Sequence, residues 1–388
     1  MALLLAPYNP SMRLGQGYNS YFQQPCIDGA VEVKTPNNSR NSLASAASAS
    51  DLAGSTLRTV KLGRDDDDDK DAKTVQQAVS YTFRRVDKIS DIVRGMNVSP
   101  ACCIKAGGQI PVSGGGGCFD VDGSRFNMEQ GNDGVVNVAV SVKIINETIR
   151  LNPEDARFRP LTNLELEERG NKAGMDVYGD SYISGFLEGG ELHALVSLGV
   201  RDASKCCADL EAALLKQGGS PPASPEDLSR LFSALETAAA AAAASTDDIA
   251  VTVTWTGGGQ IKPEDEEWTI ETLRKAVTGF ADRVGQCPQR TCAILTPYSQ
   301  NTSFNEWASS SGNLALVTGT PESLSLRNSH AHSLLDAYMG HKYSLSKLRA
   351  KMSNLEGTTA HFNVETLLNE RKAIRAEMTK IARIVDQL

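Results

Sequence analysis

Residues 178–200 read YGDSYISGFLEGGELHALVSLGV, and the fold turns on what the adjacent glycines Gly189 and Gly190 are doing inside it. Apolar and aromatic residues on both sides have strand character. A glycine in a strand costs backbone entropy and packs nothing, so it marks a bulge, a bend or the close approach of another backbone. Two in succession predict a long strand, Tyr182–Val200, interrupted and bent at the pair.

Working outward, GVVNVAVSVKIINETI sets Val136, Val138, Val140 and Val142 against Asn137, Ala139, Ser141 and Lys143, the alternation of a half-buried strand. DDIAVTVTWTG places Ile249, Val251, Val253 and Trp255 on one face. Val135–Ile145, Tyr182–Val200 and Ile249–Trp255 are therefore expected in a single sheet, because each must bury one face. TVQQAVSYTFRRVDKISDIV begins as strand and continues with Val86, Ile89 and Val93 at helical spacing. In SPEDLSRLFSALETAAAAAAA, Ser224 is a candidate N-cap, Pro225 the first helical residue and Asp227 the partner in a capping box. Leu228, Leu231, Phe232 and Leu235 then form one stripe. Two strand pairs, joined by helical excursions over about 84–134 and 200–247, are not the wiring of simple hairpins.

Composition sets the bounds. The chain has 388 residues, 40% of them hydrophobic, and a net charge of −8, which suits a globular protein of two or three domains and argues against nucleic acid as a partner. No apolar run reaches the ~20 residues of a membrane-spanning helix. MALLLA is too short for a signal-peptide core and meets Pro7, Asn9 and Pro10 at once, so the expected location is cytoplasmic, or secreted without a classical signal peptide, with membrane association on activation. All eight cysteines are expected to be free thiols: Cys102–Cys103 and Cys206–Cys207 are adjacent pairs, and Cys26, Cys118, Cys287 and Cys292 have no metal-ligand spacing. His330, His332 and His341 lack a matching thiol cluster. There is no nucleophile elbow, and SGGGG lacks the lysine of a phosphate loop. No metal, no cofactor and no enzymatic activity are expected.

Residues 35–74, rich in Ser, Ala and Asn and containing DDDDDK at Asp65–Lys70, read as a disordered acidic and serine-rich insertion; consecutive aspartates lack the spacing of a calcium loop. At the other end, 325–388 reads as a helical hairpin in which Val364, Leu367, Ile374, Met378, Ile381 and Val385 recur at near-heptad spacing. The preferred reading packs this hairpin on the preceding domain. The alternative is a coiled-coil oligomerisation strip.

Tyr178-Gly179-x-x-Tyr182, six residues, then Gly189-Gly190 resembles the signature of the membrane-attack-complex/perforin (MACPF) family, with Asp180 and Ser181 where that family prefers Thr and His. MRLGQGYNSY at Met12–Tyr21 is similar to the opening of the family's first strand, and SDIVRGMNVSPACCIKAGG at Ser90–Gly108 to the segment that follows it. Residues 251–298 resemble the closing region of the stonustoxin-like branch. The resemblance covers about 12–298. It implies an α+β fold with a bent, twisted four-stranded antiparallel sheet flanked by two helical clusters, in a domain spanning 1–320, with 325–388 as a C-terminal helical module. Gly189 and Gly190 would be the hinge of the sheet. The implied function is a pore-forming or membrane-perturbing protein that assembles into rings and unfurls its helical clusters into β-hairpins, with membrane lipid and further copies of itself as partners. Asn97, Ile104, Phe119, Leu210, Leu228 and Phe232 mark the candidate membrane-inserting segments. The alternation such hairpins need is marginal near Val98–Ala106 and lacking in 200–247. That weakness, the missing signal peptide and the expectation of no membrane-docking module after the C-terminal helices favour the alternative, a non-lytic intracellular interaction scaffold.

Overall fold

The computed structural model describes residues 3–33, 44–46, 55–62, 73–114, 117–121, 126, 134–162, 175–200, 206–208, 210–212, 224–242, 249–311, 321–355 and 361–388. Fourteen strands are described: β1 (Leu4–Pro7), β2 (Gly17–Asn19), β3 (Gln24–Pro25), β4 (Val31–Val33), β5 (Ala44–Ala46), β6 (Thr56–Leu62), β7 (Lys73–Arg85), β8 (Ile110–Pro111), β9 (Cys118–Phe119), β10 (Gly134–Arg150), β11 (Ala156–Phe158), β12 (Ser181–Val200), β13 (Ile249–Thr256) and β14 (Gln289–Pro297). The helices are α1 (Ile89–Gly95), α2 (Pro100–Lys105), α3 (Met175–Tyr178), α4 (Pro225–Ala242), α5 (Ile270–Gln286), α6 (Thr302–Ser311), α7 (Pro321–Leu355) and α8 (His361–Gln387).

The fold is mixed α and β, built on one large antiparallel sheet in the order β1-β14-β12-β10-β7-β6, with β13 also on β12. The three expected strands lie together in it: β10 pairs along β12 from Gly134↔Val200 to Arg150↔Gly185, and β13 pairs β12 from Glu191↔Thr256 to Leu198↔Ile249. Two sequence expectations are corrected. The sheet is not four-stranded: besides β13, the nine-residue β14 pairs along β12 with β1 beyond it, and β6 adds to β7 on the other side. The stretch 35–74 is not all loop, since β5 pairs β10, β6 pairs β7 from Thr56↔Val79 to Leu62↔Lys73, and β7 starts at Lys73. TLRTVKL is strand-forming once an edge is offered to it, and the neighbouring low-complexity sequence hid that. Asp65–Lys70 lies outside the described residues.

One face of the long strands is apolar. Tyr81 and Phe83 of β7, Val138, Val140 and Val142 of β10, and Leu192, Val196 and Leu198 of β12 are buried there against α4 and α5. From α4 come Leu228, Leu231, Phe232 and Leu235, the stripe read from the sequence, and from α5 Leu273, Val277, Phe280 and Val284. Ser224 Oγ accepts the Asp227 amide at 3.2 Å, the expected N-cap bond. The opposite face carries the polar members of each alternating strand and is covered by α1 and α2, with α7 and α8 beyond them.

The C-terminal helices pack as the hairpin reading expects. Ala331, Leu335, Tyr338 and Met339 of α7 and Ile381 and Val385 of α8 join one core with Ile89, Val93, Ala101 and Ile104. Ser90 donates to Asp336 through its amide at 3.0 Å and its hydroxyl at 2.7 Å, and Lys105 pairs with Asp386 at 3.3 Å. Only the far end of α8 is anchored in this way; Leu367 and Ile374 remain half-exposed. Among the described residues no helix is long and apolar enough to cross a membrane, no group of acidic, histidine or cysteine side chains is placed to hold a metal, and all eight cysteines carry free thiols.

Candidate functional site: the glycine junction of the sheet

Gly189 and Gly190 do not interrupt β12, which runs unbroken for 20 residues. What changes at the pair is the neighbour. Residues up to Gly189 pair with β14, ending at Gly189↔Gln289, and from Glu191 onward the same edge pairs with β13. Across β12, the register with β10 slips between Ile145 and Glu147, so that Asn146 forms a bulge beside the glycines. A bulge adds a residue to one strand and increases local twist.

Neither glycine adopts a positive φ, so the pair is not there for backbone freedom. It is there for space. A Cβ on Gly189 would stand 2.0 Å from the Ile144 carbonyl oxygen. On Gly190 it would stand 2.4 Å from Val284 Cγ2, 3.1 Å from the Thr256 carbonyl oxygen and 3.2 Å from Phe280 Cζ. The first glycine lets β10 approach, and the second lets α5 lie down on the sheet. Left-handed backbone appears on the adjoining loop instead, where Gly257, Gly258 and Gly259 have φ of +79°, +72° and +62°. A Cβ on Gly257 would meet the Gly189 carbonyl oxygen at 2.5 Å. Three glycines from two segments thus converge at one point.

Polar side chains tie α5 to this point. Asn146 donates to the Val284 carbonyl at 3.1 Å and accepts from Gln77 Nε2 at 2.9 Å. The same Gln77 nitrogen donates to the Ala281 carbonyl at 3.1 Å. Gln77 is fully buried, and its Oε1 has no partner among the described residues. One step further along β12, Glu191 and His193 are buried beside β14. Glu191 Oε1 accepts from Cys292 Sγ at 3.4 Å, its Oε2 lies 3.5 Å from His193 Nε2, and His193 Nδ1 is 3.0 Å from Ser141 Oγ. Burial pushes the Glu191 carboxyl up, but Lys143, His193 and Cys292 more than offset it and leave it at about 2. Burial holds His193 below its ordinary value, so the imidazole is neutral at pH 7. Burial also raises the Cys292 thiol well above its usual range, which makes it a poor nucleophile. The sequence reading missed these residues. Its available signal was their position, since Asn146 breaks the alternation of β10 and Glu191 and His193 are polar in an otherwise apolar strand.

Two of the resemblance motifs, one N-terminal and one at the start of β12, meet in space. Tyr18 of the LGQGY stretch bridges Gly179 of the YG pair. A Cβ on Gly179, at φ +77°, would stand 2.1 Å from the Tyr18 carbonyl oxygen, and one on Gly17 would stand 2.4 Å from that of Tyr178. Asp180, which departs from the family pattern, accepts from the Ser20 amide and from Ser20 Oγ at 2.8 Å, and from Ser181 Oγ at 2.7 Å. Tyr178 and Tyr182 pack with Phe158, Tyr298 and Phe304 in an aromatic core, and Tyr298 donates to the Tyr178 carbonyl at 3.0 Å. The YG half of the signature therefore locks the N-terminal segment to the start of β12, while the glycine pair serves the junction.

The candidate inserting residues are divided between the two faces of the sheet. Ile104 and Phe119 are buried on the α1–α2 side, with Asn97 half-buried in left-handed conformation at φ 57°. Leu210, Leu228 and Phe232 are buried on the α4–α5 side. The first excursion is less helical than expected, holding only the short α1 and α2 and the β8–β9 pair among its described residues. Of the second, residues 206–208, 210–212 and 224–242 are described, all helical except the cap Ser224.

No protein-family model matches the chain, and no curated protein matches it. Among solved structures it is similar to stonustoxin (13% identity, 85% of this chain and 50% of that one, TM-score 0.31), to the human-specific toxin intermedilysin (13% identity, 58% and 41%, TM-score 0.35) and to wild-type pneumolysin (12% identity, 70% and 59%, TM-score 0.32). The chain thus spans about half of the length of these proteins. Likeness at this level carries no argument about activity. What agrees with the MACPF resemblance is internal: the antiparallel set β13-β12-β10-β7, and the Met12–Tyr21 and Tyr178–Gly190 motifs falling at its structural junctions.

Proposed function

We propose that the protein is a membrane-perturbing, pore-forming protein of MACPF type, which self-associates and extends its sheet by converting residues 86–133 and 201–248 into β-hairpins, with Gly189 and Gly190 as the hinge. The observation that carries this reading is the strand register. Residues 86–133 join β7 to β10 and residues 201–248 join β12 to β13, each an adjacent antiparallel pair, and the two connections are equal in length. Both leave and return at the same end of the sheet, where Arg85 faces Val138, Gly134 faces Val200 and Leu198 faces Ile249. Either connection could continue its pair without a change of register. Each is long enough for two strands of the ~9–11 residues that cross a bilayer, and neighbouring strands would satisfy the backbone.

In water the conversion is uphill. Releasing α4 exposes Leu228, Leu231, Phe232 and Leu235, which contribute ~1.5–3 kcal/mol each by burial, so a trigger and an apolar surface are required. The same burial, with the lack of alternation in 201–248, favours the second reading, a scaffold in which α4 never leaves.

Dye release from anionic and sterol-containing vesicles, with electron microscopy for rings, decides between the two. A cross-link joining β7 to α4 at Phe83 and Phe232, whose rings lie 5.9 Å apart, is expected to abolish leakage while leaving vesicle binding intact. Absence of leakage and of rings from the unmodified protein across these lipids would leave the scaffold reading standing.

A further inference from the structure

The polar face of the sheet forms the floor of a cavity of about 340 Å³, within the size range of small-ligand sites. Register fixes its layout. Arg84 stands beside Ala139, Thr82 beside Ser141, and Ser80 beside Lys143, with His193 next to Ser141 on β12. A central row of hydroxyls and a neutral imidazole is thus flanked by two cations, about 13 Å apart along the strands at ~3.3 Å per residue. Leu3, Leu5, Ile92, Met96 and Phe119 supply the apolar walls, from the N-terminal strand and the first connection.

The charges balance only in part. Among the described lining residues there is no carboxylate. Glu191 faces Lys143 in register and is held ionised partly by it, so it answers Lys143 from outside the lining, with its oxygens engaged by Cys292 and His193; among the described lining residues no carboxylate answers Arg84. Arg84 donates to the Asp91 carbonyl, which is neutral. One unmatched cation, Arg84, and a second shared with Glu191, over a polar floor and under apolar walls, are complementary to a molecule with one anionic end and one apolar end.

We infer that this cavity binds a small amphiphilic organic anion of the medium-chain carboxylate class, its headgroup over the hydroxyl row between Arg84 and Lys143 and its apolar body against the walls. The walls include Ile92, Met96 and Phe119, so the ligand touches both the sheet and the first connection. The site stands whether or not the protein opens membranes.

Calorimetric titration of the full chain with sodium octanoate, 1-octanol and inorganic phosphate tests this. Octanoate is expected to bind saturably, at least about tenfold more tightly than either of the others. Arg84→Gln and Lys143→Gln should each weaken octanoate about tenfold and leave octanol unchanged, and Ala139→Leu should block the cavity. Circular dichroism melts establish that each variant is folded, and the ligand series on the unmodified protein decides the matter if one is not. No saturable binding of octanoate overturns the inference. So does equal binding of octanol, which means that charge is not read, or of phosphate, which means that the walls are not used.

Discussion

Replacing Gly190 by alanine tests whether the glycine pair exists for packing. The new Cβ would lie 2.4 Å from Val284 Cγ2, whereas carbons in contact keep about 3.5–4.0 Å, so α5 and β12 must separate by about 1 Å or Val284 must move. Overpacking of this kind costs about 1–3 kcal/mol. Val284→Ala removes the offending atom and by itself costs about 1.5–2 kcal/mol, at ~0.8 kcal/mol per buried carbon. In the double variant the clash is largely gone, though the Thr256 oxygen at 3.1 Å remains, so the two costs should fall short of their sum by about 1–2 kcal/mol. Gly189→Ala is the control. Its obstacle is the Ile144 carbonyl at 2.0 Å, a backbone group that Val284→Ala leaves in place, so that pair should add to within about 0.5 kcal/mol. Equilibrium unfolding in urea provides the energies, with far-UV circular dichroism for the sheet and tryptophan fluorescence for the junction, where the Trp255 and Trp268 rings lie 6.0 Å apart. Coupling of equal size to both glycines, or no coupling at Gly190, would refute the steric account.

Asn146→Leu should cost about 1–3 kcal/mol in the same assay, because it strands the Val284 carbonyl and removes the acceptor of Gln77; an unaffected midpoint would mean that the bulge does not anchor α5. Glu191 and His193 both titrate lower in the folded protein than their ordinary values of 4.5 and 6.5, so the unfolded chain binds more protons. The stability that they contribute is complete above those values and is lost as the pH falls, His193's share from about 6.5 downward and Glu191's between 4.5 and about 2. His193→Gln is expected to flatten the profile of unfolding free energy just below pH 6.5, and an unchanged slope there would show that its burial does not matter.

The sequence by itself determined the long strands and the helix that covers them. Alternation in 135–145 and 249–255 and the stripe Leu228–Leu235 are local patterns, since each records one face that must be buried, and the order of motifs carried the family resemblance. It also preferred, over a coiled-coil strip, a C-terminal hairpin packed on the domain, and the packing itself is seen only in the fold. The partners were not legible. Nothing local says that β12 trades β14 for β13 at Gly189–Gly190, that the pair admits a carbonyl and a valine rather than an unusual backbone angle, or that residues 56–62 find an edge on β7. The junction and the cavity are long-range in the same way: Gln77 reaches the Ala281 carbonyl of α5 across 204 positions in one hydrogen bond, and Arg84, Lys143 and His193 share a floor only because the register aligns them. A periodic pattern states which face is buried, and only the packed chain decides what is buried against it.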